Sequence, residues 1–73
     1  MDEEDVLLLR FGERLRSLRQ ARGWSQEDFA AMCQLDRTYI SGIERGKRNV
    51  CLKNLNTIAN ALELPLSFLL EGI

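Results

Sequence analysis

The chain has 73 residues, 45% of them hydrophobic, with a formal net charge of -1 and no histidine. That is one small domain, spanning 1–73, with room for a modest core and none for a deep substrate cleft. Cys33 and Cys51 find no histidine for a zinc site and make no disulfide framework, and no apolar run approaches the roughly 20 residues a membrane span needs.

The first helix runs from about Glu4 to Ala21. Leu7, Phe11, Leu15 and Leu18 recur at helical spacing and form one apolar face, acidic residues sit at the positive end of its dipole, and Gly23 is placed to end it. The second begins at Ser25, with Asp28 three positions on as a weak capping box and Trp24 able to staple against Phe29. Its inner face is Phe29, Ala30 and Cys33. Gln34, Leu35 and Asp36 separate it from a third helix that Asp36 caps, that Leu35 staples through Ile40, and that stops at Gly46. Leu52, Leu55, Ile58, Ala59 and Leu62 define the inward face of a fourth. Pro65 opens a short apolar fifth from Leu66 to Leu70. The expected class is all-α, a single five-helix bundle.

Charge comes in blocks. Asp2 to Asp5 is acidic; Val6 to Arg22 carries five arginines against Glu13; Gly23 to Asp36 is acidic again; Arg37 to Lys53 carries five positive groups against Glu44. The acidic start is unlike a signal peptide, so a cytoplasmic chain with reduced thiols is expected. The arginines of the first helix spread around it without forming a stripe, which is also how a solvated face looks. The second basic block lies in and after the third helix. There Ile40 and Ile43 face inward, while Thr38, Ser41, Gly42 and Arg45 fall together on the other side. A helix of this length can lie in a DNA major groove, about 12 Å wide. Glycine in mid-helix costs about 1 kcal/mol relative to alanine, so Gly42 is expected to serve a close approach, to a base pair or to the second helix.

The segments SQEDFA (Ser25–Ala30), LDRTYISGIERGKRN (Leu35–Asn49) and LKNLNTIANAL (Leu52–Leu62) resemble the Xre/Cro/CI type of helix-turn-helix regulator, with the lambda-repressor-like fold. DRTYISGIERG most resembles the controller proteins of restriction-modification systems, and the resemblance runs from Phe11 to Glu71. It implies a five-helix DNA-binding domain in which the second and third helices form the helix-turn-helix, acting as a homodimer on a near-palindromic operator in double-stranded DNA. The family's phosphate-contacting glutamine falls on Gln26, its base-reading positions on Arg37, Thr38 and Ser41, and its buried ion pair on Arg19 and Glu44. Three positions depart from the pattern. Gln34 stands where many relatives have glycine, Cys51 where Ser or Thr usually caps the fourth helix, and Pro65 in place of the cap of the fifth.

The chemistry of these residues stands beside the resemblance. Arg37 offers a planar fork that suits guanine O6 and N7, or a phosphate. Thr38 offers a hydroxyl and a methyl, and Ser41 a hydroxyl. Tyr39 projects at the flank, where its hydroxyl reaches a phosphate or its ring covers the core. Gln26 extends the anion site of a helix start. Arg45, Lys47, Arg48 and Asn49 read as phosphate clamps, or as a solvated basic loop. Glu27 reads a cytosine, serves the dipole of its helix, or presents charge to RNA polymerase.

With no histidine, no paired carboxylates and no nucleophile constellation, an enzyme is not expected, and no metal or other cofactor is implied. The rival function is an antitoxin or protein-interaction module, but such a module has no need of cations ringing one face, and no toxin-binding segment follows Ile73. After the fourth helix the chain offers more apolar surface than one short helix buries. Leu69 and Leu70 are expected to fold inward, and Leu64, Leu66 and Phe68 to meet a second copy across a two-fold axis. Whether transcription then rises or falls, activator or repressor, does not follow from these residues.

Overall fold

In this computed structural model, which describes residues 1–73, the chain forms α1 (Glu3–Ala21), α2 (Gln26–Cys33), α3 (Arg37–Glu44), α4 (Leu52–Ala61) and α5 (Leu66–Leu69), with no strand. The first three helices start on side-chain caps that their sequences supply. The Asp2 carboxylate accepts from the Asp5 amide at 2.9 Å, the Ser25 hydroxyl from Asp28 at 3.0 Å and the Asp36 carboxylate from Thr38 at 2.8 Å. Cys51 and Pro65 make no side-chain cap, as expected of their chemistry. Gly23 and Gly46 follow α1 and α3 in the left-handed region, and Gln34 enters it between α2 and α3 at φ 56°. For a residue with a β-carbon that conformation costs about 1 kcal/mol, so the turn is strained where a glycine would relax it.

The core lies between α1, α2, α3 and α4, closed at one end by α5. Leu15, Phe29, Ile40, Ile43, Ile58, Leu62 and Leu69 are fully buried, with Phe11, Ala30, Cys33 and Ala59 beside them. Trp24 stacks on Phe29 with ring centroids 5.9 Å apart, which is the expected staple at the start of α2. Two residues assigned to inward faces are not buried. Leu7 is 49% exposed and Leu52 68% exposed. At about 28 Å, α1 is longer than the two short dimensions of the domain, 24 and 22 Å, so its first turns run past the core. Leu7 there lines the rim of an apolar depression with Leu8, Val50, Leu55 and Ile73. Leu52 is the first residue of α4, and its side chain stays in solvent.

A close crossing sets α1 against α3. A β-carbon on Gly12 would lie 2.5 Å from the Ile43 carbonyl oxygen and 2.6 Å from that of Glu44, so only glycine lets the two backbones meet. Two turns further along α1, Arg19 reaches the end of α3. Its Nε donates to Glu44 Oε2 at 2.7 Å and its Nη2 to Glu44 Oε1 at 2.9 Å, and Nη1 donates to the Trp24 carbonyl at 2.7 Å. Gln26 Nε2 donates to Glu44 Oε1 at 3.1 Å, and Arg16 Nε stands 3.6 Å from the same oxygen. The side chain of Glu44 is wholly inaccessible and that of Arg19 nearly so. Burial pushes the Glu44 carboxyl upward, but the donors from Arg19 and Gln26, with the charges of Arg19 and Arg16, outweigh it and hold the group below its ordinary value. The hydrogen bond to Glu44 raises Arg19 in turn.

Removing one member of such a pair strands the other charge. Glu44→Gln is therefore expected to lower the unfolding free energy by about 3 kcal/mol or more in urea titrations at neutral pH. An unchanged urea midpoint would show the pair to be energetically idle. Because Glu44 titrates lower in the folded than in the unfolded chain, its contribution is complete above the unfolded value of 4.5 and is lost as the pH falls through the folded one. Thermal midpoints should drop across that acid window, and the drop should be shallower in Glu44→Gln.

Candidate nucleic-acid interface

The turn from Gln34 to Asp36 sends α3 across α2, with Ile40 and Ile43 buried and Glu44 locked at the helix end. At 100° per residue the positions Arg37, Ser41, Arg45 and Thr38 share an arc of about 100° on the opposite side. Arg37, Thr38 and Arg45 are exposed and Ser41 is half-buried. Three of the four carry a free or partly free hydrogen-bonding end; Thr38 is more constrained. Its hydroxyl donates to Asp36 Oδ1 at 2.6 Å, beside the amide-to-carboxylate cap. These bonds, the hydroxyl first and the amide second, hold the Asp36 carboxyl below its ordinary value, assisted by the charges of Arg37 and Arg48. With its proton committed, Thr38 shows the outside a methyl group and oxygen lone pairs.

Each edge of this arc is built from a different element. On one edge is Gln26, half-buried in the first turn of α2, whose amide nitrogen is bound to the buried Glu44 carboxylate. On the other edge lies Tyr39. Its hydroxyl donates to the Asn49 carbonyl at 3.4 Å and accepts from Asn54 Nδ2 at 3.1 Å, so it ties α3 to the following loop and to α4. Tyr39 thus sits at the flank, its ring half-buried and its hydroxyl engaged within the domain.

The structure corrects the reading of Gly42. Within the domain its near neighbour is not α2: it is buried under the side chain of Arg48, whose Cγ would stand 2.5 Å from an added β-carbon. The Arg48 stem crosses the helix there, and its guanidinium lies 5.0 Å from the centre of the Tyr39 ring. Arg48 is thus drawn along the helix flank toward Asp36, and is not extended from the loop. Arg45 and Asn49 are exposed; Lys47 is exposed beside Met1, Asp5, Leu8 and Leu9 at the start of α1. The loop's own fold is held by the Lys47 amide, which donates to the Gly42 carbonyl at 2.8 Å.

The arginines of α1, with no stripe of their own, have partners far along the chain. Arg10 donates to the Gly72 carbonyl, Arg14 to those of Phe68 and Leu69, and Arg22 to that of Leu62 while its guanidinium lies 5.4 Å from the Trp24 ring centre. No local signal announces these bonds, because each acceptor is a backbone carbonyl at least 40 residues away. Among the residues expected to meet a second copy, Phe68 is 39% exposed, while Leu64 and Leu66 are half-buried and pack partly on the core. Leu69 is fully buried and Leu70 half-buried. Both cysteines are free thiols; burial pushes Cys33 up to about 11, and Cys51 is exposed. No cluster of acidic or sulfur ligands could hold a metal ion, and no helix is long and apolar enough to cross a membrane.

The two close-approach glycines should respond unequally to the same change. Gly12→Ala drives a methyl into backbone oxygens and should lower stability by about 1–3 kcal/mol. Gly42→Ala must displace the stem of Arg48 at Cγ and with it the guanidinium on Tyr39, but the neighbour is a side chain and helix propensity improves, so its melting temperature should fall less than that of Gly12→Ala. Calorimetry on the two variants separates the cases; equal losses would mean that Arg48 is as immovable as backbone.

Comparison with known proteins gives a consistent set of relatives. The family described as helix-turn-helix matches residues 15–69. Control protein C.MunI from Mycoplasma sp is 52% identical over 66 residues, which cover 89% of either chain. The crystal structure of the restriction-modification controller protein C.AhdI from Aeromonas hydrophila superimposes with a TM-score of 0.83 at 50% identity, over 85% of this chain and 94% of that one. The controller protein C.Esp1396I, solved as a tetramer in complex with its natural 35 base-pair operator, superimposes with a TM-score of 0.81 at 42% identity, over 89% of this chain and 86% of that one.

Proposed function

The chain belongs to the helix-turn-helix family, with restriction-modification controller proteins among its near relatives, and from that premise we propose that it is a sequence-specific DNA-binding regulator of transcription that acts as a homodimer. One observation carries the reading: the outward arc of α3 bears only groups that can meet base edges or phosphates, and the helix behind it is locked to the core by Ile40, Ile43 and the Arg19–Glu44 pair. A face built only to bind protein would be expected to carry an apolar centre there.

In this reading α3 enters the major groove by its N-terminal end. Arg37 reads a guanine through its two-pronged guanidinium. Thr38, its proton held by Asp36, accepts from an adenine or cytosine amino group or packs its methyl on that of a thymine. Ser41 reaches a further polar edge from the same arc. Gln26 keeps one amide hydrogen on Glu44 and offers the other to a phosphate, which couples that backbone contact to the buried pair. Arg45, Lys47 and Asn49 follow the strand on the far side, and Tyr39 and Arg48 support them from the flank. Glu27, exposed in the first turn of α2, presents a carboxylate beside the DNA-facing surface, where RNA polymerase is the partner it would meet.

Two copies joined through Phe68, with Leu64 and Leu66 contributing their exposed edges, set two recognition helices about 34 Å apart, one turn of B-DNA. This accounts for a near-palindromic operator. It also explains how an eight-residue helix reads enough bases for specificity, since each half-site is read once by each copy.

Affinity for operator DNA should fall steeply with salt. If Arg45 and Lys47 of both copies neutralise about four phosphates, the association constant drops about 100-fold between 50 and 200 mM monovalent salt. A flat titration across that range overturns the phosphate assignment. Arg37→Ala should weaken operator binding by at least about 1 kcal/mol and relax the preference at one base pair in each half-site, read from a panel of single-base operator variants. Uniform weakening across the panel would make Arg37 a phosphate contact.

A further inference from the structure

The self-association surface rests on α5, and α5 is a poor platform by itself. It has four residues, no side-chain cap at Pro65, and a preceding Glu63 in the left-handed region at φ 57°. In so short a helix nearly every carbonyl lies in the last turn and lacks an intrahelical donor. Leu69 anchors one side of it in the core. Leu66 and Leu70 pack on the core only in part, and Phe68 points outward.

That other side is held by α1. Arg14 donates from Nε to the Leu69 carbonyl at 3.3 Å and from Nη2 to the Phe68 carbonyl, two consecutive acceptors at the negative end of α5. Its guanidinium lies 4.8 Å from the centre of the Phe68 ring, so one face of that ring is covered by a cation and the remainder stays exposed. Glu71 Oε2, 4.0 Å away, offsets the charge. Arg10, one turn earlier on the same face of α1, donates to the Gly72 carbonyl just beyond. Arg14 itself is mostly shielded, its side chain 23% exposed.

We propose that Arg14, supported by Arg10, is a positioning residue for dimerisation: it fixes the orientation of α5 and the ring of Phe68 in the arrangement that a second copy recognises. The inference rests on the reading that two copies meet through Leu64, Leu66 and Phe68. Three features suit Arg14 to this task. Its Nε satisfies the Leu69 carbonyl, which has no backbone donor, and its Nη2 adds a second donor to the Phe68 carbonyl that already accepts from the Glu71 amide at 3.1 Å, so covering α5 leaves neither acceptor unpaired. Glu71 stands at the limit of ion-pair distance, 4.0 Å from the Arg14 guanidinium, and can follow the charge as α5 is covered. And its planar group both stacks on the ring and grips two carbonyls, which the point charge of a lysine cannot do. DNA binding would then depend on a residue that touches neither DNA nor the core, because the spacing of the two recognition helices depends on how α5 is held.

The test uses the full chain with Arg14→Met, which keeps an unbranched stem and removes donors and charge, and Arg14→Lys, which keeps the charge. Sedimentation equilibrium should show a dimer dissociation constant raised about tenfold or more for Arg14→Met and by an intermediate amount for Arg14→Lys. Amide exchange should accelerate at Leu69 and Leu70 while the amides of Ile43 and Ile58 stay protected, which separates a local loss of α5 from general unfolding. Operator binding should weaken at low protein concentration and recover at high concentration, with base preferences unchanged. Phe68→Asp serves as the control on the interface. If Phe68→Asp is monomeric and Arg14→Met dimerises like the parent, the role of Arg14 is refuted and the interface reading survives. If Phe68→Asp stays dimeric, the interface reading fails and takes this inference with it.

Discussion

The Arg19–Glu44 pair is the constraint on which the rest of the domain depends. Glu44 ends the recognition helix, Arg19 ends the long first helix, and the two are joined bidentately inside the fold. Through Nη1 the same guanidinium holds the carbonyl of Trp24, the residue that staples α2, and through Gln26 the same carboxylate holds the first residue of α2. One buried charge pair therefore sets the relative positions of three helices. Its bonds are directional, whereas apolar packing alone would allow α3 to slide or rotate by small amounts. For a surface that must match the spacing of bases, that directionality matters more than the modest net free energy such pairs contribute.

The recognition surface is also shaped from its edges. Gly42 gives up a side chain so that Arg48 can lie against the helix, and Arg48 in turn covers the Tyr39 ring whose hydroxyl holds Asn49 and Asn54. The loop after α3 is thereby tied to the helix at several points and is not a free basic segment. Preorganisation of this kind limits the ordering cost when phosphates are bound. Asp36 acts at the opposite end of the helix, where a single carboxylate caps the first turn and takes the proton of the Thr38 hydroxyl, leaving its lone pairs outward.

The arginines of α1 extend the same principle to the other end of the domain. In a chain this small the core cannot supply every constraint, and of the residues of α5 only Leu69 is fully buried, with Leu66 packed on the core in part. Guanidinium groups that bind carbonyls of Phe68, Leu69 and Gly72 take over that task at the surface. Solvent weakens each such bond, yet together they convert a four-residue turn into a defined face.

The sequence by itself determined the elements and most of the core. Caps at Ser25 and Asp36, helix ends at Gly23 and Gly46, the Trp24 staple and the inward Ile40, Ile43, Ile58 and Leu62 are all local signals, written within one or two turns of where they act. The Arg19–Glu44 pair was legible through the family resemblance, which carries tertiary information that spacing does not. Tertiary structure alone decided which arginine meets which acceptor, because the four arginines of α1 and Arg22 at its C-terminal cap are similar side chains and differ only in the distant carbonyls and carboxylate they reach. It also decided that Leu7 and Leu52 lie beyond the core, since helical periodicity specifies a direction around the axis and says nothing of how far along it the neighbouring helices extend. Gly12 and Gly42 belong with these: a missing β-carbon shows that something comes close, and only the packed chain determines whether that something is another helix's backbone or the stem of an arginine.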